Sequence, residues 1–151
     1  MIEIPAWYWQ QIKETLEGVE GIEMFGYGIS MDDDGTRIAV GSNAAVEVYN
    51  IKTNKLKQDG VIACASIRTV LSGDGNRLIA ACNGEVMVYD RQIFNSEWKH
   101  TGTIPTKKSR VSLSRDGLVV GLGQIYYPSY IGIAEVWKCT KFLCNDSTLE
   151  M

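Results

Sequence analysis

Short runs along this chain alternate in side-chain character with a period of two, which places successive side chains on opposite faces of a β-strand. These runs are broken in register by three of the chain's four Asp-Gly pairs, Asp34-Gly35, Asp74-Gly75 and Asp116-Gly117. In a hairpin turn Gly takes a positive φ and Asp bonds the nearby backbone, so each pair predicts a turn between two strands. Behind each turn the order repeats: a second strand, a short turn, then a third strand ending on an aromatic. In the second strands Ile38 and Val40, Leu78 and Ala80, and Val120 and Leu122 share one face. Ala39 and Gly41, Ile79 and Ala81, and Gly121 and Gly123 share the other. One face is mostly bulky and the other mostly small, which suits sheets stacked closely on both sides. The third strands read VEVY at 46–49, VMVY at 86–89 and AEVW at 134–137.

The turn glycines are separated by 40 and 42 residues, the period of a four-stranded propeller blade. A fourth, outer strand follows in the first two units, at 56–60 and 98–102, and none follows in the third. The N-terminal stretch 5–13, which carries Trp7 and Trp9, reads as an edge strand with no unit before it, so it is expected to pair outside 134–137. Residues 14–23 have apolar positions at helical spacing, but Gly18 and Gly21 interrupt them, which predicts a loop with at most one helical turn. The third unit carries six extra residues in GQIYYPSYIG, at 123–132, expected to form a loop. Three blades fall below the usual four to eight. Either two or more copies complete a ring, or further blades belong to a longer chain, or the ring stays open. Residues 1–142 are expected to form a single repeat domain and 143–151 an irregular tail.

Composition agrees with an all-β reading. Fifteen Gly against 3 Pro, with 4 Trp and 7 Tyr, suit tight turns between short aromatic-bearing strands. A net charge of -3 argues against a nucleic-acid partner, which needs clustered cations. Lys107, Lys108, Arg110 and Arg115 are expected to be a solvated basic cluster. The N-terminus has neither a basic leader nor a continuous apolar run, so no membrane partner is expected and the localisation is cytoplasmic by default. Cys64 and Cys82 lie in apolar surroundings and are expected to be buried thiols. Cys139 and Cys144 could close a small disulfide loop in an oxidising environment, where the sequon at Asn145 would also be usable. His100 is the one histidine, which removes most His-dependent nucleophile arrangements and any histidine metal cluster. No cofactor is expected.

Trp9-x-Gln11, Phe25-Gly26, the run from Ile29 through Asp32, Asp33 and Asp34 to Gly35, the run 38–42 and the strand 46–49 resemble the FG-GAP-like and WD40-like propeller repeats. Residues 111–117, VSLSRDG, are the nearest single match. The resemblance covers roughly 7–137 and implies a non-catalytic binding scaffold with a protein partner. The chain departs from the calcium-binding form of such repeats: Ser30 stands where a first Asp belongs, and Ile38 and Ala39 offer no carboxylate downstream. No metal site is expected. Nor does a Gly-His pair open any unit, and Tyr49-Asn50 and Tyr89-Asp90 stand where Trp-Asp belongs. The candidate binding residues are Tyr126, Tyr127 and Tyr130, in the inserted segment. Buried rings there would mean blade packing. Exposed rings around a shallow groove would favour the alternative, a surface or carbohydrate-binding module.

Overall fold

The computed structural model describes residues 9, 11–12, 15–52, 55–66 and 68–140. Among them the chain forms eleven strands and no helix. The first sheet orders β1 (Gly28–Met31), β2 (Arg37–Gly41), β3 (Val46–Lys52) and β4 (Lys55–Ile62) in sequence. The second repeats this with β5 (Thr69–Leu71), β6 (Arg77–Cys82), β7 (Glu85–Arg91) and β8 (Trp98–Ile104). The third has three strands, β9 (Arg110–Leu113), β10 (Val119–Tyr126) and β11 (Ile131–Lys138). All pairings are antiparallel, so the all-β class and the repeat register expected from the sequence are those of the structure.

The three turns share their geometry. Gly35, Gly75 and Gly117 have φ of 66°, 68° and 72°, a region open to Gly and strained for most other residues. In the second turn the Ser72 hydroxyl accepts from Arg77 N–H (3.0 Å) and donates to Asp74 (2.6 Å), which also accepts from Asn76 N–H (3.0 Å). Ser114 and Asp116 repeat this relay with Val119 and Leu118. The first turn departs from it. Asp32 occupies the serine position, and its carboxylate alone takes Thr36 N–H (2.7 Å), Arg37 N–H (3.0 Å) and the Thr36 hydroxyl (2.6 Å). The backbone-bonding acid there is therefore Asp32, not Asp34, because a carboxylate spans both donors where a hydroxyl needs a partner.

The sheets stack face to face through two seams. In the first, Ala39, Val46, Val48, Ile62 and Cys64 meet Leu71, Leu78, Ala80 and Cys82, with Met87, Tyr89 and Trp98 at the margin. In the second, Ile79 and Val86 meet Val120 and Leu122. Both faces of β6 are thus used, Leu78 and Ala80 on one and Ile79 on the other, which is why neither face of that strand is polar. Each fully buried aliphatic contributes about 2 kcal/mol by area. Residues 48/49 of the β3–β4 pair and 88/89 of the β7–β8 pair carry the same register shift, so the irregularity belongs to the repeat.

Several expectations change. Cys64 and Cys82 are buried, but they are joined as a disulfide across the first seam, with Cα atoms 5.6 Å apart. Stacking of the sheets brings the end of the first unit against β6, a contact that neither local sequence shows. Cys139 is also disulfide-bonded, and Cys144 lies outside the described residues. The inserted segment is not a loop: β10 and β11 continue through it, pairing Gln124 with Ile133, Ile125 with Gly132 and Tyr126 with Ile131. Its alternating Ile and Tyr residues are strand formers and extend the hairpin. Trp9, Gln11 and Ile12 belong to no strand. The rest of the expected N-terminal strand and the tail 143–151 lie outside the described residues.

Candidate interaction surface

Among the described residues the longest hairpin is β10–β11, and its end carries the tyrosines singled out in the sequence. Eight residue pairs run from Val119–Lys138 to Tyr126–Ile131, so the tip stands at the end of a continuously paired two-stranded stem. Tyr126, Tyr127 and Tyr130 are 44%, 73% and 75% exposed. The structure brings all three together. The rings of Tyr127 and Tyr130 meet edge to face, with centroids 5.3 Å apart and planes at 74°, the arrangement the ring quadrupoles favour. Tyr130 N–H donates to the Tyr126 carbonyl (2.9 Å), and the Ser129 hydroxyl donates to the same oxygen (3.3 Å). Tyr130 itself sits at a φ of 55°, a left-handed conformation uncommon for an aromatic.

Pairing fixes which side chains accompany the rings. Tyr126, Ile131 and Ile133 lie on one face of the hairpin, and Ile125 lies on the other, with all three isoleucines exposed. Beside the tyrosines legible in the sequence, these isoleucines complete the exposed apolar tip. Their signal was the continuation of the 134–137 strand back through 131–133, which shows only once the pairing with 124–126 is known.

Farther down the hairpin the polar groups are engaged. Lys108 Nζ meets Glu135 at 2.5 Å and the Trp137 indole N–H donates to the same carboxylate (3.1 Å). The Lys108 hydrogen bond, then that of Trp137, holds Glu135 below the usual carboxylate range. Arg115 meets Asp33 at 2.6 Å. Lys107, Arg110 and Arg115 of the basic cluster are exposed as expected, Arg115 while pairing across the turns, and Lys108 alone is drawn in against β11. The three Asp-Gly turns converge on an open cup lined by Asp34, Asp74, Asp116 and Arg115. Two of these acids are committed to their own turns. Ser114, then Leu118 N–H, lowers Asp116, and for Asp74 the bonds from Ser72 and Asn76 outweigh the opposing effect of burial. No grouping of three or more metal-ligating side chains occurs among the described residues. His100 lies on the exposed rim in β8, bonded to Thr103 (3.0 Å) and packed on Tyr89.

One cavity opens between the second and third sheets, about 250 Å³, lined by Ile79, Val88, Gly102, Ile104, Leu118 and Trp137. Its origin is visible in the first seam. There Trp98, from the outer strand of the second sheet, lies so close over Gly60 that a Cβ on Gly60 would come within 2.6 Å of the indole. Gly102 is the counterpart of Gly60, and the third sheet has no fourth strand among the described residues to place an aromatic above it.

Solved structures with the same arrangement of sheets include the β-propeller domain of Cps50 (Swd1) from Myceliophteria thermophila, at 8% identity and a TM-score of 0.59, over 74% of this chain and 37% of that one. The three sheets are β-propeller blades. Sqt1 from Saccharomyces cerevisiae matches at 12% identity and a TM-score of 0.53, over 76% of this chain and 36% of that one. A candidate 6-phosphogluconolactonase from Bacteroides uniformis matches at 16% and 0.58, over 77% of this chain and 36% of that one. The chain spans little more than a third of the length of each. At these identities the likeness establishes the blade fold and leaves function to the site. No family model and no curated protein sequence matches the chain.

Proposed function

We propose that the chain is a non-catalytic binding scaffold that grips a protein partner with the tip of the β10–β11 hairpin. The observation that carries this reading is the edge-to-face Tyr127–Tyr130 pair at the end of a paired stem beside exposed Ile131 and Ile133, an apolar surface of the kind protein partners bury. Tyrosine offers a broad apolar face and a hydroxyl at small cost in rotamer freedom, and a paired stem lowers the ordering cost of binding. The exposure of Tyr127 and Tyr130, 73% and 75%, supports a binding role over packing against a blade edge. A carbohydrate ligand is the alternative, and the exposed rings are what favour it. The edge-to-face pair presents no single flat platform for a sugar, however, and the neighbouring isoleucines offer no hydrogen bonds to hydroxyl groups. The buried Cys64–Cys82 disulfide supports work in an oxidising compartment, against the cytoplasmic default.

The triple substitution Tyr126→Ser, Tyr127→Ser and Tyr130→Ser tests the reading by quantitative affinity capture beside a glycan array. A binding tip predicts loss of specific protein partners with a melting temperature nearly unchanged. Glycan binding that disappears in the triple variant would establish the carbohydrate reading instead. A fall of several degrees with capture intact would make the tip structural.

A further inference from the structure

The first and third blades each end on a sheet face with no neighbouring blade among the described residues. These two faces repeat the two sides of the seams inside the chain. On the first blade Ile29 and Met31 are 63% and 51% exposed, whereas Thr69 and Leu71, their counterparts one repeat later, are 7% and 5% exposed in the first seam. On the third blade Val136 is 76% exposed, and its first-blade counterpart Val48 is 0% exposed. The floor around Val136 is a shallow groove of about 290 Å³ that includes Ser112, Gly121, Gly123 and Ala134. Where the second blade has Ile79 and Ala81, this face has Gly121 and Gly123, which leaves room for side chains entering from outside.

The backbone carries an independent sign of the same thing. Asp33 N–H donates to the Gly73 carbonyl (3.0 Å), and Gly73 N–H donates to the Arg115 carbonyl (2.8 Å). These three residues hold the same repeat position, so the bonds form a ladder stepping from blade to blade. Among the described residues the ladder ends on a donor, the Arg115 N–H, and begins on an acceptor, the Asp33 carbonyl. Across the first seam Leu71 N–H also donates to the Ser30 hydroxyl (2.9 Å). Ser112 holds the Ser30 position on the open face of the third blade.

We propose that a second copy of this chain docks head to tail, laying its Ile29 and Met31 face on the β9–β11 face, and that two such contacts close a six-bladed ring. A second copy is the fitting occupant because its free first-blade face repeats the side of a seam that the β9–β11 face lacks. It carries apolar residues at the positions of Thr69 and Leu71, a carbonyl for Arg115 N–H, and a Met31 N–H for Ser112. The contact is heterologous and closes after two copies, and six blades fall within the range that propellers occupy. The tyrosine tip lies at the opposite end of β10 and β11 from the Asp116-Gly117 turn, so this assembly does not depend on it.

Native mass spectrometry and light scattering of the full chain, across submicromolar to high micromolar concentration, test the proposal. The expected particle contains two chains, each of 16.8 kDa. Val136→Glu and Ile29→Glu each place an unpaired carboxylate in the contact, and each is expected to weaken self-association on the order of 100-fold. Both residues are exposed in the single chain, so circular dichroism and melting should match the parent. Mixing the two variants regenerates one unaltered contact, between the Ile29 face of the Val136→Glu chain and the Val136 face of the Ile29→Glu chain. Mixed dimers are therefore expected where neither variant pairs with itself, and the serine triple variant of the tip should dimerise normally. A wild type that stays a single chain throughout, a particle of any other number, or variants that assemble no better mixed than alone would overturn the proposal.

Discussion

The two seams of this protein are built from the same repeat and differ at their rims. The first is closed from its inner strands to its rim: the apolar cluster continues outward through the Cys64–Cys82 disulfide and on to Trp98 over Gly60. Asp59 adds a charged clasp, accepting from Arg37 of its own blade (3.4 Å) and from Arg91 of the next (2.9 Å). The second seam has its apolar centre in Ile79, Val86, Val120 and Leu122. Toward the rim it opens into the cavity beside Gly102, and its polar clasp is one hydrogen bond from Arg77 to the Gly117 carbonyl (3.1 Å). Among the described residues, the inner strands alone stack the third blade on the second, while the outer strand of the second blade and the groups it carries seal the first seam.

Core truncation should separate the seams most clearly. Leu78→Ala in the first is expected to cost about 4 kcal/mol and Leu122→Ala in the second about 2 kcal/mol, because the more open seam leaves its neighbours freer to relax. Denaturant titration of both variants measures the gap, and equal costs would mean that the rim does not matter. Next in size is the disulfide. Replacing Cys64 and Cys82 together with Ala is expected to cost about 3 kcal/mol, from the loop of 18 residues it closes. Hydrogen exchange should then rise in β6 more than in β10.

These first two tests touch features of very different visibility in the sequence. The Asp-Gly turns, the second and third strands and the repeat register were legible, because turn chemistry and period-two alternation are local properties. The disulfide was not, since only the stacking direction of the blades brings Cys64 to Cys82. The hairpin extension was hidden because GQIYYPSYIG contains turn formers, and only pairing with 131–133 shows where the strands stop. Asp32 replaced Asp34 in its turn because the deciding fact is the reach of a carboxylate across two amides. At the candidate site the tyrosines were legible as an insertion with unusual composition. The exposed Val136 was not, since VEVY and AEVW look alike until one is known to face a neighbouring blade.

Smaller effects sharpen the contrast further. Asp59→Ala removes a carboxylate that two half-buried guanidinium groups share and is expected to cost about 2 kcal/mol. Thr101→Ala, at the matching position of the second blade, should cost less than about 1 kcal/mol, and paired melts compare the two. The smallest expected effect is at Tyr49. Burial, then the hydrogen bond to Glu47, pushes its phenol up to about 12. A phenol raised in the folded state stabilises fully below its unfolded value near 10, and that contribution disappears as pH rises through about 12. Absorbance titration against Tyr49→Phe should show one tyrosine ionising late, and Glu47→Gln should bring it earlier.

The central claim is that the blades stack in register, so that three equivalent positions differ in how fully a neighbouring blade covers them. Carbene footprinting read at single residues tests it on the unaltered chain. At high dilution, labelling should rise from Val48 to Val88 to Val136, and Val136 alone should become protected as concentration increases. Equal labelling of Val48 and Val136 in the dilute protein would contradict the stacking from which the rest follows.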